Sequence, residues 1–197
     1  MKEQLQKDFY NSIKNLNLSQ KDIEIKKFCL DNFIDKGFPN KKEEDWKFSD
    51  LNQIIKNNIG ELSFYNDQAS TNKVDTSVFV DGLEHNKIVF INGRIEKIDF
   101  EYEKKDQIEI IDQSETINEF ENSNSLSDLN NAFTNKCFKI LVKKGYQLAK
   151  PLIIYHTTNS KIWSKNINLR LNFELDKDSS LRSVSYTHLR AHETCVH

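Results

Sequence analysis

Between Cys137 and Leu175 apolar side chains recur at every second position in short runs, a period that builds sheet rather than helix. Phe138, Ile140 and Val142 form one run and Leu152 to Tyr155 another. Ile167, Leu169, Leu171, Phe173 and Leu175 form a third, alternating with Asn168, Arg170, Asn172 and Glu174. Gly145, Pro151 and Asn159-Ser160 punctuate these runs. Short strands with one buried face and a turn every 8 to 12 residues or so indicate a sandwich, a barrel or a β-solenoid. The alternation alone does not choose among the three.

The first 60 residues carry the other period. Leu5, Phe9, Ile13 and Leu16 are spaced 4, 4 and 3 apart, on one face of a helix over Lys2 to Leu16. Ser19, with Asp22 three residues on, caps a second helix that carries Ile23, Phe28, Leu30, Phe33 and Ile34 as far as Gly37. A third, short helix starts after Ser49 and uses Leu51, Ile54 and Ile55. Residues 61–86 are polar and weakly patterned, and read as a connector. Ile88 to Ile91, then Asn92-Gly93, then Ile95 and Ile98 predict a tight hairpin, because Asn-Gly supplies the positive φ angles of a two-residue turn. Ile108, Ile110 and Ile111 predict a further strand, and Leu126 to Phe133 a short helix.

With 197 residues, 37% of them hydrophobic, the chain can bury a core. A formal net charge of −2, with acids and bases interspersed, leaves no basic footprint for nucleic acid. No apolar run approaches the roughly 20 residues of a membrane helix, and Met1 to Leu5 do not open a secretory signal, so the cytoplasm is the expected address. Cys29, Cys137 and Cys195 lie far apart with no Cys-x-x-Cys pair, so neither a disulfide framework nor a zinc site is expected, and Cys29 and Cys137 read as small buried hydrophobes.

The last fourteen residues, Val184 to His197, break in composition from everything before them: they lack Lys, Asn, Ile and Asp, yet hold His188, His192, His197 and Cys195. Imidazole and thiolate are zinc ligands, which makes the cluster tempting. However, Val184 to Thr194, eleven residues in register, are similar to the translation of a transposase adapter used in short-read sequencing libraries. The segment is therefore set aside as a non-native tail, and the natural chain is expected to run only to about Ser183.

Among the remaining chemistry-bearing residues, Glu43-Glu44-Asp45 are dense enough to suggest a metal or acid-base site. Three consecutive carboxylates project around a helix rather than converge, so a solvated face with Trp46 and Phe48 packed inward is expected. His85 in the connector and His156 at a strand end read as surface or structural residues. Glu174 and Asp176 are the only acids paired at a strand end, and a polysaccharide-acting enzyme would need them. There is no glycine-rich phosphate loop. No catalytic, cofactor-binding or metal-binding residue is assigned.

Three segments carry a family resemblance. Gly37 to Leu51, with Gly37, Pro39, Glu44, Trp46, Lys47, Phe48, Ser49 and Leu51 in place, is similar to a segment of the SufD branch of the SufB/SufD family. Val89-Phe90-Ile91-Asn92-Gly93-Arg94 resembles the family's next motif, and Leu129-Asn130-Asn131-Ala132-Phe133, continued by Gly145 and Pro151-Leu152-Ile153-Ile154, resembles the start of its core. Lys136-Cys137 depart from the Asp-Gly more usual there. The resemblance implies an α+β chain: an N-terminal helical domain over 1–60, a connector over 61–86, and the first part of a right-handed parallel β-helix over 87–183, with 184–197 as the tail. It further implies a non-catalytic scaffold subunit of iron-sulfur cluster assembly, truncated at its C-terminus. Such a subunit pairs with SufB through β-helices and with the SufC ATPase through a C-terminal region. No cofactor is expected on this fragment, the cluster being handled by the full complex. A β-helix enzyme acting on polysaccharide and a plain interaction domain are the alternatives.

Overall fold

A computed structural model describes residues 2–14, 16–58, 64, 74–113, 124–158 and 165–188. Two compact units divide the chain. The first comprises Met1–Asn66, Asp112–Phe138 and Ser164–Arg170, the second Asp67–Ile111, Lys139–Trp163 and Leu171–His197.

In the first unit, helix α1 (Lys2–Ile13) buries Leu5 and Phe9. Helix α2 (Gln20–Lys36) begins on the capping box expected of Ser19 and Asp22, each side chain bonding the other's main-chain N–H. It ends where Gly37 takes φ +73°, a left-handed angle that suits glycine, and donates its N–H to the Phe33 carbonyl at 2.7 Å. Helix α3 (Leu51–Asn58) follows. Helix α4 (Ser125–Phe133), capped by Asn124, brings Leu129, Ala132 and Phe133 into one core with Leu5, Phe9, Cys29, Leu30, Phe33 and Phe38. Aromatic edges knit it: Phe9 meets Phe133 at 6.2 Å and 90°, and Phe33 meets Phe38 at 5.0 Å and 78°. At the surface of that unit, Phe28 faces solvent rather than the core.

In the second unit, β1 (Asn86–Ile91) and β2 (Arg94–Asp99) form the expected hairpin, with Asn92 at φ 52° and Gly93 at φ 80° and a bulge beside Val89 and Phe90. Strand β5 (Leu152–Thr157) runs parallel to β1, Ile88 opposite Ile154, and β7 (Ser183–His188) runs parallel to β5, Ile153 opposite Val184. The sheet order is β2-β1-β5-β7. Both faces of β1 and β5 are buried. Val89, Ile91, Ile153 and Tyr155 pack under a strap carrying Val74, Val78 and Phe79, while Ile88, Phe90, Leu152 and Ile154 occupy the opposite face.

Strands β3 (Ile108–Asp112), β4 (Lys136–Val142) and β6 (Leu169–Leu175) form a second sheet in the order β3-β4-β6. Backbone bonds from Gln113 to Cys137 and from Lys143 to Gln107 set β3 antiparallel to β4, and the Asp176 N–H bonds the Val142 carbonyl where β4 and β6 end together. Phe138, Ile140 and Val142 are buried. On the other face Lys139 pairs with Glu174 at 2.9 Å and Lys143 with Glu109 at 2.7 Å.

The chain is thus α+β, but the expected β-helix is not what its strands make. Among the described residues there are two open, mixed sheets, neither closed nor wound as a solenoid. The reason is local: the positive φ angles of Asn92-Gly93 fold β2 back antiparallel on β1, and β3 likewise opposes β4, where a solenoid would need parallel rungs throughout.

Candidate functional site

The most unusual group in the first unit is Lys26, 2% exposed in the middle of α2. It stands with Cys29, Leu30 and Phe33 at positions i, i+3, i+4 and i+7, so the helical period itself turns an ammonium into the core. There Nζ donates to the main-chain carbonyls of Asn131 (3.2 Å) and Ala132 (3.4 Å), and to that of Thr134. These are orphan carbonyls at the end of α4, where a cation also meets the negative end of the helix dipole. Burial pulls the Lys26 ammonium down from its usual 10.5 to about 8.

The surrounding groups are ionisable as well. Burial pushes the Cys29 thiol up to about 11, with Asp128 adding to the rise, and burial raises Cys137 too. A raised pKa keeps both as thiols, poor nucleophiles and poor metal ligands. Lys36 bonds the buried Asp128 carboxylate at 3.1 Å, and Arg170 donates to Asn131 Oδ1 at 3.3 Å. Chemically, the cluster fastens α2 to the end of α4.

The second unit holds a different buried array. His85, 2% exposed, directs Nδ1 at the Leu83 carbonyl (2.6 Å) and Nε2 at Tyr155 Oη (2.7 Å). A carbonyl only accepts, so Nδ1 carries the proton and Nε2 accepts from the phenol. Tyr155 Oη in turn accepts the Val80 N–H at 3.1 Å, which pins the strap to β5, and burial raises the pKa of this phenol. Glu103 gathers four donors: Asn86 Nδ2 (2.6 Å), Tyr146 Oη (2.7 Å) and the N–H groups of Ala149 and Lys150 (3.2 Å each). Burial alone would raise this carboxyl, but the four hydrogen bonds together hold it below its usual range.

The residues singled out in the sequence do not converge. Glu43, Glu44 and Asp45 are exposed around one 3-10 turn, Glu44–Trp46, and among the described residues no group of three His, Cys, Asp or Glu side chains could hold a metal ion. Trp46 is half-buried, but Phe48, expected to pack inward, is 92% exposed with Lys47 Nζ 5.9 Å from its ring centre. Phe48 lies two residues past the 3-10 turn, so no helical period places it on the face of Trp46. His85 is structural. His156 stacks on Phe90 at 5.3 Å and 10°, and burial lowers its pKa. Glu174 is tied to Lys139 rather than poised beside Asp176. Cys195, His192 and His197 lie outside the described residues; His188 ends β7.

Sequence reading missed Lys26, although a lysine interrupting the Ile23, Leu30, Phe33 stripe was its visible signal. It missed Glu103 as well, because its donors come from residues 86 and 146–150. No protein-family model matches the chain, and no curated protein is significantly similar to it. Among the described residues no helix is long and apolar enough to cross a membrane.

Proposed function

We propose that the chain is a non-catalytic scaffold subunit of the SufD kind, acting in the cytoplasm in iron-sulfur cluster assembly and pairing with SufB and the SufC ATPase. The cluster is then cargo of the assembly rather than a resident group of this chain. The observation that carries the reading is Phe48. In the segment 37–51 that holds the family-like motif, Phe48, two residues past the 3-10 turn Glu44–Trp46, is a large aromatic 92% exposed. Aromatic side chains held out on a fixed turn are anchors for a partner. The reading is also supported by where the buried Lys26 and His85 and the half-buried Glu103 are spent. Lys26, His85 and Glu103 each bind main chain, which suits a part that positions others.

Co-purification tests it. The tagged protein, expressed from its natural gene, is expected to elute with SufB and SufC. Phe48→Ala should weaken that association at least tenfold while leaving the melting temperature within about 1 °C, since the side chain buries nothing. A clean, folded preparation that binds neither protein would sink the proposal.

A further inference from the structure

Glu103 is held as a bound carboxylate is held, with each oxygen taking two donors. Oε1 accepts from Asn86 Nδ2 (2.6 Å) and the Lys150 N–H (3.2 Å), and Oε2 from Tyr146 Oη (2.7 Å) and the Ala149 N–H (3.2 Å). Two oxygens, each met by its own pair of donors, fit a planar carboxylate better than a tetrahedral sulfate or a single chloride.

The donors stand on parts of the second unit that residue 103 does not build. Asn86 opens β1 with its N–H bonded to the Pro151 carbonyl (2.8 Å), and its side-chain amide gives a second N–H to the Lys150 carbonyl (3.0 Å). That amide is fixed in its sense, because turned over its oxygen would meet a carboxylate and a carbonyl, both acceptors. Its Oδ1 is buried without a hydrogen-bond partner, so Asn86 forgoes one bond to aim its nitrogen at the Glu103 position. Ala149 and Lys150 follow Leu148, whose N–H bonds the Ser180 carbonyl (3.0 Å), and the Ser180 N–H bonds the Tyr146 carbonyl (3.1 Å). Glu103 itself comes from a separate stretch between β2 and β3, where Glu101, Lys104, Lys105 and Asp106 are exposed. The Lys104 N–H also reaches Tyr146 Oη (2.9 Å).

We infer that Asn86, Tyr146, Ala149 and Lys150 form a carboxylate-binding site in its own right, which Glu103 fills in cis and which takes a free monocarboxylate once that side chain is withdrawn. Formate is the smallest such ligand, and three heavy atoms bind no more tightly than about 1 mM. A carboxylate carried on the same folded chain has a far higher effective concentration than a solute, so in the intact protein Glu103 keeps the site. The inference is independent of the proposed function.

Thermal melts of the full chain test this, with sodium formate titrated against sodium chloride at matched ionic strength. In Glu103→Ala, formate is expected to raise the melting temperature saturably, by about 3–5 °C at ten times a Kd of about 1–100 mM, while chloride does not. The wild-type protein, its site filled, should respond alike to the two salts, which also measures any general effect of salt on stability. Adding Tyr146→Phe to Glu103→Ala removes one of the four donors and should weaken formate binding about tenfold. Should Glu103→Ala not fold in chloride, formate is expected to restore its far-ultraviolet circular dichroism. Formate that acts on Glu103→Ala no differently from chloride, that stabilises the wild type equally, or whose effect survives loss of the Tyr146 hydroxyl undiminished would overturn the inference.

Discussion

Lys26 and Glu103 are mirror images, one in each unit. The lysine is a cation that closes main-chain carbonyls at the end of α4, and the glutamate is an anion that closes main-chain N–H groups at 149 and 150. Yet the two environments act in opposite senses. Burial disfavours the charged form of Lys26, whose neighbours do not make up the loss, whereas Glu103 keeps its charge more firmly than a free carboxyl does. The difference lies in depth and in donors. Lys26 is 2% exposed, while Glu103 sits nearer the surface with a phenol, an amide and two N–H groups arranged around two oxygens. A charge is stable in a fold when its hydrogen bonds outnumber what it has lost in hydration.

Removing each group should break the symmetry. Lys26→Ala leaves three carbonyls without their donor and opens a cavity, and is expected to cost about 2–4 kcal/mol in urea unfolding. Glu103→Ala frees donors that water can reach, and should cost less, about 1–3 kcal/mol. Tyr155→Phe strips the Val80 N–H and His85 Nε2 of their partner at nearly constant volume, for about 1–2 kcal/mol and faster hydrogen exchange at Val80. Lys139→Ala, on the exposed pair with Glu174, should change stability by less than about 1 kcal/mol.

Lys26 and Glu103 also act at opposite ends of the pH range. Between about 8 and 10.5 the folded protein binds fewer protons at Lys26 than the unfolded chain does, so this group makes stability rise with pH. Cys29 works against it: with its thiol raised from 9.0 to about 11, the folded state holds the proton longer, and stability falls across that range. The net rise should therefore be confined to about pH 8 to 9 and then flatten. Lys26→Met should abolish the rise, and Cys29→Ala should prolong it, with the raised Cys137 thiol still opposing it, both measured as urea midpoints at stepped pH. Glu103 acts at the other end. Its lowered pKa supplies stability above the ordinary carboxylate range that is lost as pH falls through the folded value, and Glu103→Gln should remove that acid-limb slope.

Most elements were legible in the sequence because their signals are local. Ser19 and Asp22 mark the start of α2 and Gly37 its end, Asn92-Gly93 makes its turn, and the alternations at Phe138 to Val142 and Leu169 to Leu175 make strands. How strands associate is not local. Parallel pairing of β1 with β5 over residues 86–91 and 152–157 leaves no mark that distinguishes an open mixed sheet from a solenoid, and there the family expectation went astray. Phe48 was misplaced for a related reason: one 3-10 turn has too few residues for a period to show. Of the buried polar groups, Lys26 was visible as an interruption of a stripe. The Glu103 and His85 arrays depend on donors and acceptors that only the folded chain brings together.

The separation between Lys26 and its carbonyls also sets a schedule. Asn131 and Ala132 follow it by 105 and 106 residues, and Leu129, Ala132 and Phe133 complete the core that Leu5, Phe9 and Phe33 begin. At about 5–20 residues per second a ribosome needs about 5 to 20 s to bridge that gap. Through that interval α1 and α2 stand outside the exit tunnel with their aromatic stripes unmet and an ammonium still hydrated. The helical unit, although it opens the chain, can close only after the β1–β2 hairpin and β3 have been made, which gives a chaperone a defined period in which to hold the N-terminus.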